Sequence, residues 1–141
     1  MDLWRIQITE IKPQVNKKVL GTIEGEVVQF AGNGRKLGYP TANITTTTDR
    51  KDGVYFGTAS LGIYTANPAL IFIGTPTTVG DTVRRVEAYL LDIADKDYYG
   101  LKLKLKVQHF HRTNRTFDSV DELVEAMKTD EVYARKWFES S

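Results

Sequence analysis

Leu101-Lys102-Leu103-Lys104-Leu105-Lys106-Val107-Gln108 is the stretch that decides the fold. In an extended chain Leu101, Leu103, Leu105 and Val107 fall on one side, and the three lysines and Gln108 on the other. This strict period of two describes a strand with one buried and one wet face. It argues against an all-parallel sheet covered on both sides. Toward the N-terminus, short β-rich runs recur between clusters of Gly, Pro, Asp and Thr, a spacing that suits a sandwich or barrel. The expected strands are 22–30, 41–44, 53–61, 69–73, 83–92 and 102–110. Residues 2–18 alternate loosely (Leu3, Ile6, Ile8, Ile11) before Pro13 and read as an N-terminal extension with one short strand and a linker. Beyond the deciding strand the period changes. Val120, Leu123, Val124 and Met127 follow i, i+3, i+4, i+7, one helical stripe. Ser119 with Glu122 forms a capping box that starts this helix. Asp130 reads as the cap of a second segment carrying Val132, Tyr133, Trp137 and Phe138. The expectation is a mainly β chain: an extension over 1–20, then over 21–141 a small antiparallel β-barrel closed by a C-terminal α-helix.

Composition narrows the class. The chain has 141 residues, 41% hydrophobic and 26% charged, which excludes a disordered or collagen-like chain. A chain of this length buries about 68–70% of its unfolded surface, so it needs no staple to build a core. With 19 basic and 18 acidic residues the net charge is +1. That balance gives no general argument for nucleic acid or an anionic membrane. There is no cysteine, which excludes disulfides and thiolate chemistry. No run approaches the ~20 apolar residues of a membrane span, and the N-terminus lacks the features of a signal peptide. A cytoplasmic monomer without a membrane or nucleic-acid partner is expected.

The most unusual stretch runs from Ala31 to Asn43, AGNGRKLGYPTAN. Gly32, Gly34 and Gly38 let the backbone turn sharply and approach a ligand, and successive N–H groups in such a turn form an anion-binding nest. Arg35 and Lys36 add positive charge. The stretch is neither a P-loop nor a dinucleotide fingerprint, because Leu37 stands where the latter needs glycine. Pro40 disfavours helix at Tyr39, so the chain leaves the loop extended. Thr41 and Asn43 then share a face. One hydroxyl and one amide oxygen beside a phosphate-sized nest suit Mg²⁺ when phosphates supply the negative charge. The same spacing fits two polar residues on the wet face of an edge strand.

Glu87 sits in Val86-Glu87-Ala88-Tyr89-Leu90-Leu91. Val86, Ala88 and Leu90 take one face, and Glu87 shares the other with Tyr89 and Leu91. A carboxylate on a largely apolar face is unfavourable to bury unless it is paired or used. An ion pair with Arg85 or a lysine is the ordinary solution. Asp92, Asp95 and Asp97 read as an acidic turn. His109 and His111 share a strand face without a third ligand in view and read as strand residues rather than a metal site.

Gly32-x-Gly34-Arg35-x-x-Gly38-x-Pro40-Thr41-Ala42-Asn43 resembles the signature of the riboflavin kinase family, including the kinase module of bacterial bifunctional flavin synthetases. Further matches follow in the family's order: Gly53-Val54-Tyr55, Ile73-Gly74 with Pro76-Thr77, Val86-Glu87 with Leu91-Asp92, Asp97-Tyr98-Tyr99-Gly100, and Arg112 with Phe117-Asp118-Ser119. The match covers about residues 21–135. It departs in four places. The turn after Gly74 is one residue short, Thr78 replaces an aromatic, His111 replaces a leucine, and Asn114 replaces an acid. The resemblance implies a six-stranded Greek-key barrel with a C-terminal helix. It implies ATP-dependent phosphorylation of riboflavin on the ribityl 5′-hydroxyl to FMN and ADP, with Mg²⁺ or another divalent ion. Gly32, Gly34, Arg35, Gly38, Pro40 and Thr41 would hold ATP, Thr41 and Asn43 the metal, and Glu87 would be the base. Arg112, Phe117 and Tyr99 would meet the flavin, with residues 112–117 forming a flap, and Trp137 is a further stacking candidate. No adenylyltransferase motif is present, so the reaction is expected to stop at FMN. Two alternatives stand beside this reading. One is a barrel of the same fold that binds flavin or nucleotide without turnover. The other is a nucleic-acid-binding barrel using Lys102, Lys104, Lys106, Arg112 and Arg115 as a basic stripe.

Overall fold

The computed structural model describes residues 17–29 and 38–140. The strand expected in the N-terminal extension lies outside them, as do Gly32, Gly34 and Arg35 of the glycine loop. Among the described residues six strands are formed: β1 (Gly21–Val28), β2 (Ala42–Ile44), β3 (Gly53–Leu61), β4 (Tyr64–Gly74), β5 (Arg85–Leu90) and β6 (Lys102–Arg112). A 3₁₀ turn spans Thr77–Val79, and helix α1 spans Val120–Glu139. The strands close into a barrel in the order β1-β2-β5-β4-β3-β6, and every pairing is antiparallel. β3, β4 and β5 are successive neighbours, and β6 returns to lie beside β3, which is a Greek key. The expected fold class is the one observed.

The deciding strand behaves as its alternation requires, with two exceptions. Leu103, Leu105 and Val107 are fully buried in the barrel, and Lys102, Lys104 and Lys106 are exposed. Lys102 and Lys104 both reach the carboxylate of Glu24 across the β1 pairing, at 3.1 and 3.8 Å. Leu101 precedes the strand and is exposed, whereas Gln108 is buried. The reason for the second exception is a bulge: Phe56 pairs with His109 and Gly57 with Val107, so the β3 register steps over Gln108. At that bulge a Cβ on Gly57 would collide with the Lys106 carbonyl oxygen. Gly57→Ala is therefore expected to lower stability by about 1–3 kcal/mol. The check is a fall in the urea midpoint at constant slope; a parental midpoint would show that the strands separate freely there.

β4 begins five residues before the expected start, after a tight Gly62-Ile63 turn with Gly62 at φ 57°. Pro68 conceals this extension in the sequence, because proline lacks a ladder donor. In the fold the β5 ladder ends at Ala69 paired with Leu90, and the Pro68 carbonyl accepts from the Leu91 N–H just beyond it. A proline fits at that end of the ladder.

The core has two layers. Inside the barrel Ile23, Tyr55, Ile71, Val86, Leu103 and Leu105 pack together. Outside it Val54, Phe56, Leu70 and Leu91 pack against Ala134 and Phe138 of α1. This second layer explains why β3 is buried on both faces. Helix α1 starts as expected: Ser119 Oγ accepts from the Glu122 N–H at 3.2 Å, and Glu122 reaches back to the Asp118 N–H. The second segment is not separate. α1 runs unbroken for 20 residues, and Asp130 lies in its interior, not at a cap. The apolar stripe simply continues, with Met127, Ala134 and Phe138 buried and Asp130 among them. Ser119→Ala should lower stability by about 1 kcal/mol, seen as a melting temperature lower by roughly 2–4 °C. A parental melting temperature would remove Ser119 from the cap.

Candidate active site

The site is built where β2 meets β5. Asn43 is the register partner of Glu87, flanked by Ala42 with Ala88 and Ile44 with Val86. Alternation sends Ile44, Val86, Ala88 and Leu90 into the barrel core and leaves Thr41, Asn43 and Glu87 on the outer face. Thr41 Oγ1 donates to Glu87 Oε1 at 2.9 Å. Arg85, two residues before Glu87, reaches Asp81 Oδ2 at 2.6 Å. Burial pushes the Glu87 carboxyl above the usual carboxylate range; the Thr41 hydrogen bond and the Arg85 charge oppose this. Asn43 Oδ1 is buried and has no hydrogen-bond partner among the described residues.

These groups line a cleft of about 280 Å³ between the barrel and the start of α1. Its far wall is the segment 112–117. Phe117 is buried there, with the Arg115 guanidinium 4.6 Å and the Arg112 guanidinium 5.9 Å from its ring. The segment is tied down by side chains. Asn114 Nδ2 donates to the Ile73 carbonyl at 2.7 Å, the Phe117 N–H donates to Thr78 Oγ1 at 3.0 Å, and the Thr77 and Thr116 hydroxyls bond to each other. Asn114 and Thr78 thus fasten the 112–117 segment to the turn that follows β4.

A second cavity of about 340 Å³ opens on the other side of Thr41. Pro40, Thr41 and Tyr99 line both, and Gly38, Asp92 and Tyr98 line only the second. Gly38 has φ 87°, the left-handed conformation that glycine supplies at least strain. Tyr39, which follows it, packs its ring edge-on against Tyr89 at 5.1 Å, near the Glu131 carboxylate of α1. Burial first, and then the Glu131 charge, push the phenol up to about 12, so it stays a donor. Arg135 of α1 makes a two-pronged pair with Asp92 at 2.9 and 3.1 Å, which holds that carboxyl below the usual range. The helix therefore braces both cavities.

The structure gathers Gly38, Pro40, Thr41, Asn43, Glu87, Tyr99, Arg112 and Phe117 around these two adjoining cavities. Tyr99 stands at their shared rim, 47% exposed. Trp137 lines neither; it stacks on His109 and packs against Phe56 and Phe138. Residue patterns gave no role to Thr77 and Thr78 or to Glu131. Asp130 continues the helical stripe three residues past Met127, but no local pattern shows which residues it meets. Among the described residues no group of three or more His, Asp or Glu side chains is placed to hold a metal by itself. No helix among them is long and apolar enough to cross a membrane.

The chain matches the family model "Flavokinase: Riboflavin kinase" over residues 19–138. It is 33% identical over 130 residues to the trifunctional protein RibF/MnmA of Mycoplasmoides gallisepticum, covering 89% of this chain and 20% of that one. It is 30% identical over 122 residues to human riboflavin kinase, covering 82% of this chain and 79% of that one. Among solved structures it resembles riboflavin kinase from Trypanosoma brucei, with TM-score 0.64 and 26% identity over 84% of this chain and 77% of that one. The chain thus spans a fifth of the first relative and about four fifths of the second. The family model covers most of the chain, and human riboflavin kinase matches it at 30% identity over about four fifths of both chains, so the chain belongs to the riboflavin kinase family.

Proposed function

We propose that this chain transfers the γ-phosphoryl group of ATP to the ribityl 5′-hydroxyl of riboflavin, giving FMN and ADP. One observation carries the reading: Glu87 faces the cleft, across the β2–β5 ladder from Asn43 and hydrogen-bonded to Thr41, where two cavities meet. The isoalloxazine takes the cleft walled by Phe117, where aromatic and apolar contact supplies much of its binding. The nucleotide takes the second cavity, with its phosphates toward Gly38 and Thr41. The two substrates then meet at Thr41.

Phosphoryl transfer depends mainly on positioning and charge stabilisation. Thr41 holds Glu87 in one rotamer through its hydroxyl proton. Glu87, in its ionised form, accepts the proton of the 5′-hydroxyl as that oxygen attacks. Arg112 and Phe117 hold the flavin so that the ribityl chain reaches Glu87. A divalent ion such as Mg²⁺ fits the donors present: the Asn43 Oδ1 acceptor is unused, Thr41 Oγ1 retains lone pairs, and both are neutral, which suits an ion that shares phosphate ligands. When bound, it would offset the charge on the phosphate oxygens.

Incubating the protein with riboflavin, ATP and Mg²⁺ and separating the flavins by chromatography tests the assignment. FMN accumulating in step with ADP is expected. Riboflavin binding without FMN would favour the non-catalytic barrel.

A further inference from the structure

On the helix side of the cleft, two neighbouring strand residues share one buried carboxylate. Asp130, in the interior of α1, is 2% exposed. Its Oδ1 accepts from Arg112 Nε at 2.8 Å and lies 3.1 Å from His111 Nε2, and its Oδ2 accepts from Arg112 Nη2 at 2.7 Å. Arg112 Nη1 donates to the Thr113 carbonyl at 3.0 Å. The His111 ring is fixed in turn, stacked on Phe56 at 4.7 Å. A two-pronged arginine–carboxylate pair fixes the plane of the guanidinium as well as its position. Arg112 lines the cleft, and Asp130 does not. Removing one member of a buried pair leaves an uncompensated charge, so Arg112 is held at the wall as long as Asp130 is present.

We propose that Asp130 is a positioning residue for the flavin. Acting through Arg112, it sets the root of the 112–117 segment on the cleft wall, and His111 orients the shared carboxylate. This deepens the kinase reading and rests on it. Sequence patterning places Asp130 at a helix cap, and nothing in the proton or phosphoryl transfer requires it. Its effect therefore falls on riboflavin and not on ATP.

The test compares the parent with Asp130→Asn, Arg112→Gln, the double variant and His111→Phe, which keeps the ring stack and loses the bond to Asp130. Riboflavin KM, ATP KM and kcat are measured, with riboflavin Kd from flavin fluorescence quenching in the absence of nucleotide. Asp130→Asn should raise riboflavin KM and Kd by on the order of tenfold, the scale of one lost charge-assisted hydrogen bond. ATP KM should stay within about twofold, which is under 0.5 kcal/mol. The double variant should bind riboflavin no more weakly than Arg112→Gln alone, since both changes act on one contact. His111→Phe should shift riboflavin affinity in the same direction. Trypsin reads the tether without catalysis: cleavage after Arg112, relative to cleavage after Arg115, should speed up in Asp130→Asn and His111→Phe. Unchanged riboflavin affinity in a folded Asp130→Asn protein, or additive losses in the double variant, would overturn the proposal. If Asp130→Asn does not fold, His111→Phe decides, and parental affinity with a parental cleavage ratio overturns it. A parent that neither makes FMN nor binds riboflavin removes the kinase reading and this proposal together. A parent that makes FMN while Asp130→Asn matches it removes this proposal alone.

Discussion

Glu87→Gln is expected to cut FMN formation by roughly 10²–10⁴-fold, the contribution of a positioned general base. Glutamine keeps the size of the side chain and can still accept from Thr41 Oγ1, which sits 2.9 Å from the carboxylate. What it loses is the ability to take the hydroxyl proton. ATP binding should survive, because Gly38 and the walls of the second cavity are untouched. Steady-state FMN production with a parallel nucleotide-binding titration reads both quantities. Near-parental turnover in a variant that binds ATP would remove Glu87 as the base and turn attention to Asp92, which lines the second cavity.

The same residue predicts two pH effects of opposite consequence. Burial raises the Glu87 carboxyl above its ordinary value, which is roughly 4.3. The base works ionised, so kcat/KM should fall on the acid side with an inflection above that value, and the inflection should vanish in Glu87→Gln. Stability runs the other way. A carboxyl whose pKa is raised in the folded state binds its proton more tightly there than in the unfolded chain. Its stabilising contribution is complete below the unfolded pKa and is lost as pH rises through the folded one. Above its folded pKa, Glu87 therefore opposes folding, and there Glu87→Gln should melt at or above the parental temperature. A variant that loses both activity and several degrees of stability would mark Glu87 as a structural ion-pair member instead.

What the sequence carries most clearly is periodicity. The alternation of Leu103, Leu105 and Val107 and the stripe beginning at Val120 fix the barrel and the helix, because burial on one face repeats every two or every 3.6 residues. Features that interrupt a period are hidden. Gln108 sits at a bulge that only the β3 register reveals, and Pro68 conceals the first half of β4. The site divides in the same way. Thr41, Asn43 and Glu87 are legible from strand parity plus the family resemblance, and they do meet across one ladder. The residues that brace them are spread along the chain: Asp130 beneath Arg112, Glu131 against Tyr39, Arg135 on Asp92 and Thr78 beneath Phe117. Each brace joins residues 39 or more positions apart or crosses from helix to strand. No local pattern reports that proximity, and a single charged residue such as Asp130 looks locally like a cap.

Asn43→Ala should raise the divalent-ion concentration needed for half-maximal turnover on the order of tenfold or more, the scale on which metal-site substitutions act. Asn43 is the register partner of Glu87 and lines the same cleft, and its Oδ1 is buried and accepts no hydrogen bond from the described residues. An unpaired buried acceptor destabilises a fold by about 1–3 kcal/mol, a penalty that the proposed ion would remove. The sign of the stability change then separates two roles. If Asn43 serves a cation and phosphate, Asn43→Ala removes an unsatisfied group, and the unliganded barrel should melt no lower than the parent. If Asn43 braces β2 against β5, the variant should melt lower and its response to Mg²⁺ should be unchanged. Thr41→Ala provides the contrast within the same site. It also removes an oxygen from the phosphate side, but it frees Glu87 from its hydrogen bond, so kcat should fall even at saturating Mg²⁺, whereas saturating Mg²⁺ should restore much of the rate of Asn43→Ala. Turnover titrated with Mg²⁺ for both variants, beside thermal melts without ligand, makes the comparison. Parental metal dependence in both would rule these two side chains out as the metal's protein contacts.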